Sequence, residues 1–246
     1  MTKTQIVILA AGQGRRLLPL TKSLPKTMLK VQEVPIIDHI LDSIDINLIN
    51  EILITVGHSK SVVMNYLKNE YKGIPIKYVD NPKHGETNSL YSLWLAKKFL
   101  KEKIAIINAD TLFNKKILEN LINSEYEAAL AIDDTISIPL PEEAMKATIE
   151  NKKIVDVSKK ISAEKTNGDA IGIYKFSGES LKILINELDD LVSKSITKQL
   201  FTYAVRNILK KTDIFSVSTE GKGWIEIDDQ NDLNVAQGLI KKIKES

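Results

Sequence analysis

Cysteine is absent from the sequence. Disulfides, thiolate catalysis and Cys-ligated zinc are therefore excluded. Neither charge is in excess: 34 Lys and Arg face 32 Asp and Glu, for a formal net charge of +2. A nucleic-acid binder would carry a strong basic surplus, so no nucleic-acid partner is expected. The paired lysines, such as Lys97-Lys98 and Lys241-Lys242, are scattered and read as solvated faces. Long hydrophobic runs are missing too, and none reaches the roughly 18 residues of a membrane span. The first apolar run, Ile6 to Ala11, has six residues and no cleavage-site pattern after it. No signal peptide and no membrane association are expected, and a cytoplasmic location is the default. Histidine is scarce: His39, His58 and His84 are the three present, and none suggests a nucleophilic triad.

What is there is enough for one α/β domain. The chain has 246 residues, 43% of them apolar, which supports a sizeable core. Short apolar strands alternate with helical patterns from residue 6 onward. Ile6–Leu9, Glu51–Val56, Ile74–Val79 and Lys103–Asp110 read as strands. Val34–Ile46 reads as a helix, and others follow Ser59 and Asn88. Such alternation predicts a mostly parallel sheet with helices on both faces, a Rossmann-like α/β fold whose strand ends collect at one ligand-binding edge. After Thr135 the pattern changes. Met145–Glu150 and Ile154–Ser158 flank Asn151-Lys152-Lys153 as a hairpin, and Ala170–Phe176 is a further strand. Together they suggest a small antiparallel flap over the sheet edge. Leu181–Leu191 and Ile196–Leu209 are helical by period, Ile214–Val217 is a strand, and a terminal helix starts near Asp229.

The organising stretch is Ile6–Lys26, IVILAAGQGRRLLPLTKSLPK. Gly12 and Gly14 let backbone N–H groups approach a phosphate, and Arg15, Arg16 and Lys26 supply cations. Ala10 and Ala11 leave room for a flat base above the strand end. Read on spacing alone, the same residues also fit a glycine turn with solvated arginines. The common phosphate loops do not fit. Leu17 stands where a dinucleotide fingerprint needs its third glycine, and Arg15 follows Gly14 where a P-loop needs Lys.

Other candidates sit at predicted strand ends. Asp110 closes the fourth strand, as a metal ligand or as a turn residue. Asn88 and Ser89 start a helix whose free N–H groups favour anions, unless they serve only as a cap. His84 reads as a surface loop residue, and Asp133-Asp134 as a strand-end turn. Glu226 and Asp228, two apart in Trp224-Ile225-Glu226-Ile227-Asp228, share one strand face. They could hold a metal or an amine, or mark a half-exposed strand.

Leu9-Ala10-Ala11-Gly12-x-Gly14-x-Arg16-Leu17-x-Pro19-Leu20-Thr21-x-x-x-Pro25-Lys26 resembles the signature of the sugar-phosphate and phosphocholine nucleotidyltransferases. Asn81–Ala96, NPKHGETNSLYSLWLA, resembles their phosphocholine cytidylyltransferase branch, and Trp224–Asp228 followed by Asp232-Leu233 resembles their closing segment. The resemblance implies one nucleotidyltransferase domain, with residues 1–134 as its nucleotide-binding half and 135–246 as its acceptor-binding half. It implies Arg16 and Lys26 as catalytic residues. Leu9, Ala10, Ala11, Gly12, Gly14, Thr87, Asn88 and Asp110 would bind the nucleotide, and Asp110 and Asp228 would hold Mg2+. Lys160, Asp169, Tyr174, Trp224 and Glu226 are the acceptor-side candidates. Arg15 departs from the family's usual Ser or Thr, and Asp169 from its usual Glu. The implied reaction joins CMP from CTP to a small phosphomonoester or phosphonate, phosphocholine-like and with a cationic head group, and releases pyrophosphate. Two other readings stand beside it: a hexose-1-phosphate nucleotidyltransferase using dTTP or UTP, and a non-catalytic nucleotide-binding regulator. The sequence leaves the oligomeric state open, a homodimer included.

Overall fold

Strand β1 (Thr4–Leu9) shows why both sheet faces are covered. Ile6 and Ile8 pack into one core and Val7 into another, and all three are fully buried. Each such side chain stabilises the fold by about 1.5–3 kcal/mol. A strand buried on both faces reads as an uninterrupted apolar run, and this one does. The structure is a computed structural model that describes residues 3–136 and 138–245. Ser137, inside the proline-containing stretch 135–141, lies outside the described residues.

The chain continues through two-residue strands β2 (Lys30–Val31) and β3 (Val34–Pro35) into α1 (Ile36–Asp42) and β4 (Ile49–Val56). Next come α2 (Lys60–Leu67), β5 (Glu70–Tyr71), β6 (Ile74–Asp80), α3 (Ser89–Ala96) and β7 (Lys103–Asn108). The short β8 (Thr111–Phe113), α4 (Lys115–Asn123) and β9 (Ala128–Asp133) follow. The remainder is β10 (Lys146–Glu150), β11 (Lys153–Val157), β12 (Gly168–Ser177), α5 (Gly178–Ser193), α6 (Thr202–Ile208), β13 (Phe215–Ser218), β14 (Trp224–Glu226) and α7 (Gln230–Glu245).

Ten strands form one sheet in the order β10-β11-β13-β9-β12-β7-β1-β4-β6-β5. The block β7-β1-β4-β6 is parallel, as the alternation of the first hundred residues predicts. The sheet as a whole is mixed. β12 runs antiparallel to both β7 and β9, and β13 lies parallel to β9. Helices α1, α2, α4 and α7 bury their apolar stripes on the face of Ile6 and Ile8. Helices α3, α5 and α6 cover the face of Val7 and Leu53.

Two expectations change. The β10–β11 hairpin forms, but it extends the sheet through β13 and touches β12 instead of lying across the edge. The helix expected over Ile196–Leu209 is confined to Thr202–Ile208. The Thr197 and Gln199 carbonyls accept the N–H groups of Asn88 and Leu90 at 3.0 and 3.3 Å. That lateral pairing replaces the helical turn, so residues 196–201 run beside the start of α3.

Candidate active site

Register sets the first part of the site. Leu9 is the parallel neighbour of Asn108, so the glycine loop and Asp110 leave the sheet side by side. The loop makes only a single 3-10 turn, Arg15–Leu17, in keeping with its prolines. Gly14 adopts φ +59°, and a Cβ there would lie 3.2 Å from the Lys26 Cβ. Glycine is required for the backbone conformation and for the close passage of Lys26. The Thr21 hydroxyl donates to the Gly14 carbonyl at 2.8 Å and closes the loop.

The second part comes from the far end of the chain. β8 pairs antiparallel with β14, Thr111 opposite Glu226, and the Ile227 N–H donates to the Asp110 carbonyl at 2.9 Å. This ribbon carries Glu226 and Asp228 to the end of β7. Asp110, Glu226 and Asp228 each offer one oxygen, and these oxygens lie within 4.8 Å of one another. Lys26 Nζ donates to Asp110 Oδ2 at 2.9 Å and to Asp228 Oδ1 at 3.1 Å. Arg16 Nη2 pairs with Asp228 Oδ2 at 2.6 Å. The Lys26 side chain is 13% exposed and that of Arg16 is 52% exposed. Lys26 is thus a fixed cation and Arg16 one with room to swing.

Burial alone would push the Lys26 ammonium down, but Asp110 and Asp228 outweigh it and hold the group above its ordinary value. Asp228 is the mirror case: burial would push it up, and Lys26 and then Arg16 hold it below the usual carboxylate range. Glu226 has no such partner in contact. Burial, with the like charges of Asp110 and Asp228, pushes its carboxyl well above the usual range. Asp110 Oδ1 is buried without a hydrogen-bond partner. An orphaned carboxylate oxygen in a three-carboxylate cluster suits a hard divalent cation, so the residues present fit Mg2+.

A cavity of about 360 Å3 opens over these groups. Leu9, Ala10, Ala11, Gly12 and Gly14 line one wall, and Thr87 and Asn88 another. Arg16, Lys26, Asp110 and Asp228 face it from the strand ends, and Tyr174 and Glu226 close the acceptor side. The helix start at Asn88 is no open anion site. Its N–H groups are taken by Thr197 O, Asn88 Oδ1 and Gln199 O for residues 88, 89 and 90.

Three acceptor-side expectations are corrected. Lys160 is exposed and absent from the wall; its neighbour Lys159 lines the cavity and pairs with Glu143 at 3.1 Å. Both lysines lie just past β11, where strand alternation no longer decides direction. Trp224 turns away, donating Nε1–H to Asp133 Oδ2 at 2.7 Å and packing against the core. Asp169 is 7% exposed and pairs in register with Asp133 and Lys146, behind the wall. Tyr174 does reach the cavity, but it is 1% exposed. It meets the Phe201 ring edge-on at 4.5 Å and exchanges a hydrogen bond with the Thr202 hydroxyl at 3.1 Å. It is a rigid wall and offers no open ring face. His84 is no plain surface residue: it lines the cavity, and its Nδ1 is buried without a partner.

Sequence reasoning missed Glu143 and Thr202. Gly172 carries a signal of its own, an isolated glycine inside a strand pattern. Gly172 adopts φ +83°, and a Cβ there would meet Asn108 Nδ2 at 2.7 Å. The β12–β9 register shifts between Ala170 and Tyr174, around this residue.

Strand-end amides, fixed cations and clustered carboxylates at one sheet edge define a nucleotide-handling transferase of the α/β class. The family model described as nucleotidyl transferase matches residues 5–240, and the chain belongs to that family. It is 31% identical over 251 residues to CTP:phosphoglutamine cytidylyltransferase of Campylobacter jejuni, covering 93% of this chain and 97% of that one. It is 26% identical over 236 residues to choline-phosphate cytidylyltransferase of Streptococcus pneumoniae, covering 96% and 97%. A solved structure of CTP:phosphocholine cytidylyltransferase from that organism shares the fold at a TM-score of 0.76 and 22% identity, over 97% of this chain and 100% of the other. Bifunctional protein GlmU of Methanococcus aeolicus is 29% identical over 240 residues, 97% of this chain. The chain spans about half the length of that relative, 55%. No helix among the described residues is long and apolar enough to cross a membrane.

Proposed function

We propose that the protein transfers CMP from CTP to a small phosphomonoester or phosphonate and releases pyrophosphate. The observation that carries the reading is the Lys26 ammonium held between Asp110 and Asp228, with Arg16 on Asp228, directly below the glycine loop. The named cytidylyltransferases that match along nearly their whole length support the choice of CTP.

The acceptor oxygen attacks the α-phosphorus, and the bond from that phosphorus to the bridging oxygen of the β-phosphate breaks. The nucleophile is already anionic at neutral pH, so no general base is needed. The difficulty is to bring two polyanions into line. Backbone amides of the glycine loop receive the phosphates. Lys26 and Arg16 offset the charge that builds on the transferring group and on pyrophosphate. Lys159 is the cation on the acceptor side of the same cavity. Asp110 and Asp228 would hold Mg2+, which when bound polarises phosphoryl oxygens and neutralises charge there.

For the acceptor, the walls favour a head group that donates hydrogen bonds. Glu226, Thr202 and Asn108 line this end, and among the described residues no aromatic face there is open to a quaternary ammonium. Pyrophosphate release is the test, with CTP, UTP or dTTP, Mg2+, and phosphocholine, phosphoethanolamine, 2-aminoethylphosphonate, phosphoglutamine, glycerol 3-phosphate or glucose 1-phosphate. CTP with an amine- or amide-bearing acceptor should turn over fastest. Preference for glucose 1-phosphate with UTP or dTTP would overturn the reading in favour of a hexose-1-phosphate enzyme. No release with any pair would favour a binding protein.

A further inference from the structure

Lys146 is a buried lysine that, among the described residues, pairs with no carboxylate and is not part of the active-site cavity's lining. It sits on β10 at 6% exposure. Its ammonium donates to two main-chain carbonyls, Glu142 O at 2.8 Å and Lys159 O at 3.0 Å. Its own carbonyl accepts the Ser158 N–H at 2.9 Å. Of the two residues it grips, Lys159 lines the cavity, and so does Glu143, the neighbour of Glu142. Lys159 carries one of the carbonyls, and Glu143 directly follows the other. In front of the wall, Lys159 Nζ and Glu143 Oε2 pair at 3.1 Å, and the same Glu143 oxygen lies 3.9 Å from Arg16.

Burying an ammonium is costly unless it is hydrogen-bonded and its charge is balanced. Asp169 supplies the balance from the paired strand, as the register partner of Lys146, buried at 7% exposure. A methionine of similar length would fill this space without that cost. What it would not supply is a donor to the carbonyls of Glu142 and Lys159, which lie in the irregular segments 141–145 and 158–161.

We propose that Lys146 is a positioning residue for the acceptor: it fixes the wall segments so that Lys159 and Glu143 project into the cavity at a set depth. The claim deepens the transferase reading, since Lys159 is its acceptor-side cation. It separates the two sides of the site, because no residue of the glycine loop is bonded to Lys146. It also assigns a task to a residue that shows no sign of one on the cavity surface.

The test combines hydrogen exchange with kinetics on Lys146→Met and Lys146→Arg, with Lys159→Ala as partner variant. In Lys146→Met, amides in 141–145 and 158–161 should exchange faster, while those of the glycine loop, 10–17, keep their rates. The acceptor KM should rise about tenfold or more while the CTP KM stays within about twofold. Lys146→Arg, which keeps a buried donor, should recover part of the loss. Adding Lys146→Met to Lys159→Ala should change the acceptor KM little, because both remove one contact. The inference is overturned if exchange in the two segments is unchanged, if the KM values for acceptor and CTP rise together, or if the effects of the two variants add fully. A wild-type protein that turns over no acceptor defeats the transferase reading, and the exchange result still decides whether Lys146 holds the wall. If Lys146→Met does not fold, unaltered exchange and acceptor KM in Lys146→Leu, which also lacks a donor, would reject the inference.

Discussion

The two sides of the cavity treat charge in opposite ways. On the nucleotide side the catalytic cations and the carboxylates pair with one another: Lys26 is held above its ordinary value, and Asp228 below its own. On the acceptor side carboxyl groups are buried without a touching cation. Asp169 is pushed up to about 6, by burial and then by Asp133, and Glu226 is raised as well. One side is therefore organised before ligand arrives. The other holds carboxyl groups whose ionisation burial opposes, and of these Glu226 lines the cavity, where a cationic or hydrogen-donating ligand would favour its charged form. The lesson is that a site for two anions need not be cationic throughout. In the proposed reaction, fixed cations gather where charge would build, and Glu226 stands at the end of the cavity that would meet the acceptor's head group.

Removing Lys26 should break the contrast most severely. Lys26→Ala should lower kcat by about 10²–10³, the usual cost of one lost transition-state contact. Arg16→Ala should follow at a smaller loss. Arg15→Ala should be mild, since Arg15 donates to Gln13 Oε1 and the Gly85 carbonyl and contacts no carboxylate in the cluster. Pyrophosphate-release kinetics rank the three, and a dominant Arg15 would refute the arrangement.

The acceptor-side cost can be measured through stability. A carboxyl raised from 3.8 to about 6 in the folded state keeps its proton longer than in the unfolded chain. Wild-type stability should then fall as pH rises from near 4 to near 6, and level off above that window. Asp169→Asn carries no such charge. Its stability relative to wild type should grow by about 2–3 kcal/mol across the window, as read from denaturant melts. A constant difference at all pH values would show that Asp169 is not strained.

Two milder experiments sharpen the boundary. Lys159→Ala should raise the acceptor KM about tenfold, and Lys160→Ala should leave it unchanged. Trp224→Phe loses only the hydrogen bond to Asp133, at a cost of about 0.5–1.5 kcal/mol in stability, with an unaltered acceptor KM. An acceptor effect from Trp224 would return it to the site.

The same division decides how much was legible in the sequence. Nucleotide-side residues follow one another along a strand end and its loop, so one continuous motif carries Gly12, Gly14, Arg16 and Lys26, and its resemblance to the nucleotidyltransferase signature assigns their roles. Asp110 and Asp228 close strands, and the same resemblance marks them out there. Acceptor-side residues come from segments scattered along the chain, and the direction of several depends on irregular backbone. The choice between Lys159 and Lys160 turned on a residue beyond β11, and the wall at Tyr174 on a register shift around Gly172. Residues 196–201 read as helix by period because their pairing with Asn88 and Leu90 is a long-range event. Local pattern carries no record of such a contact.

The place of β12 between β7 and β9 has a bearing on how the molecule is made. Synthesis from the N-terminus completes the β6-β4-β1-β7 block by residue 108. β9 emerges next, but its neighbours in the sheet are β12 and β13, both encoded later. On the ribosome the apolar strand AALAID must wait with both edges bare until the strand that joins it to the nascent block has left the exit tunnel. Half of the protein is thus a folding platform for the other half, and a chain stalled between residues 133 and 168 would present a sticky edge to its neighbours.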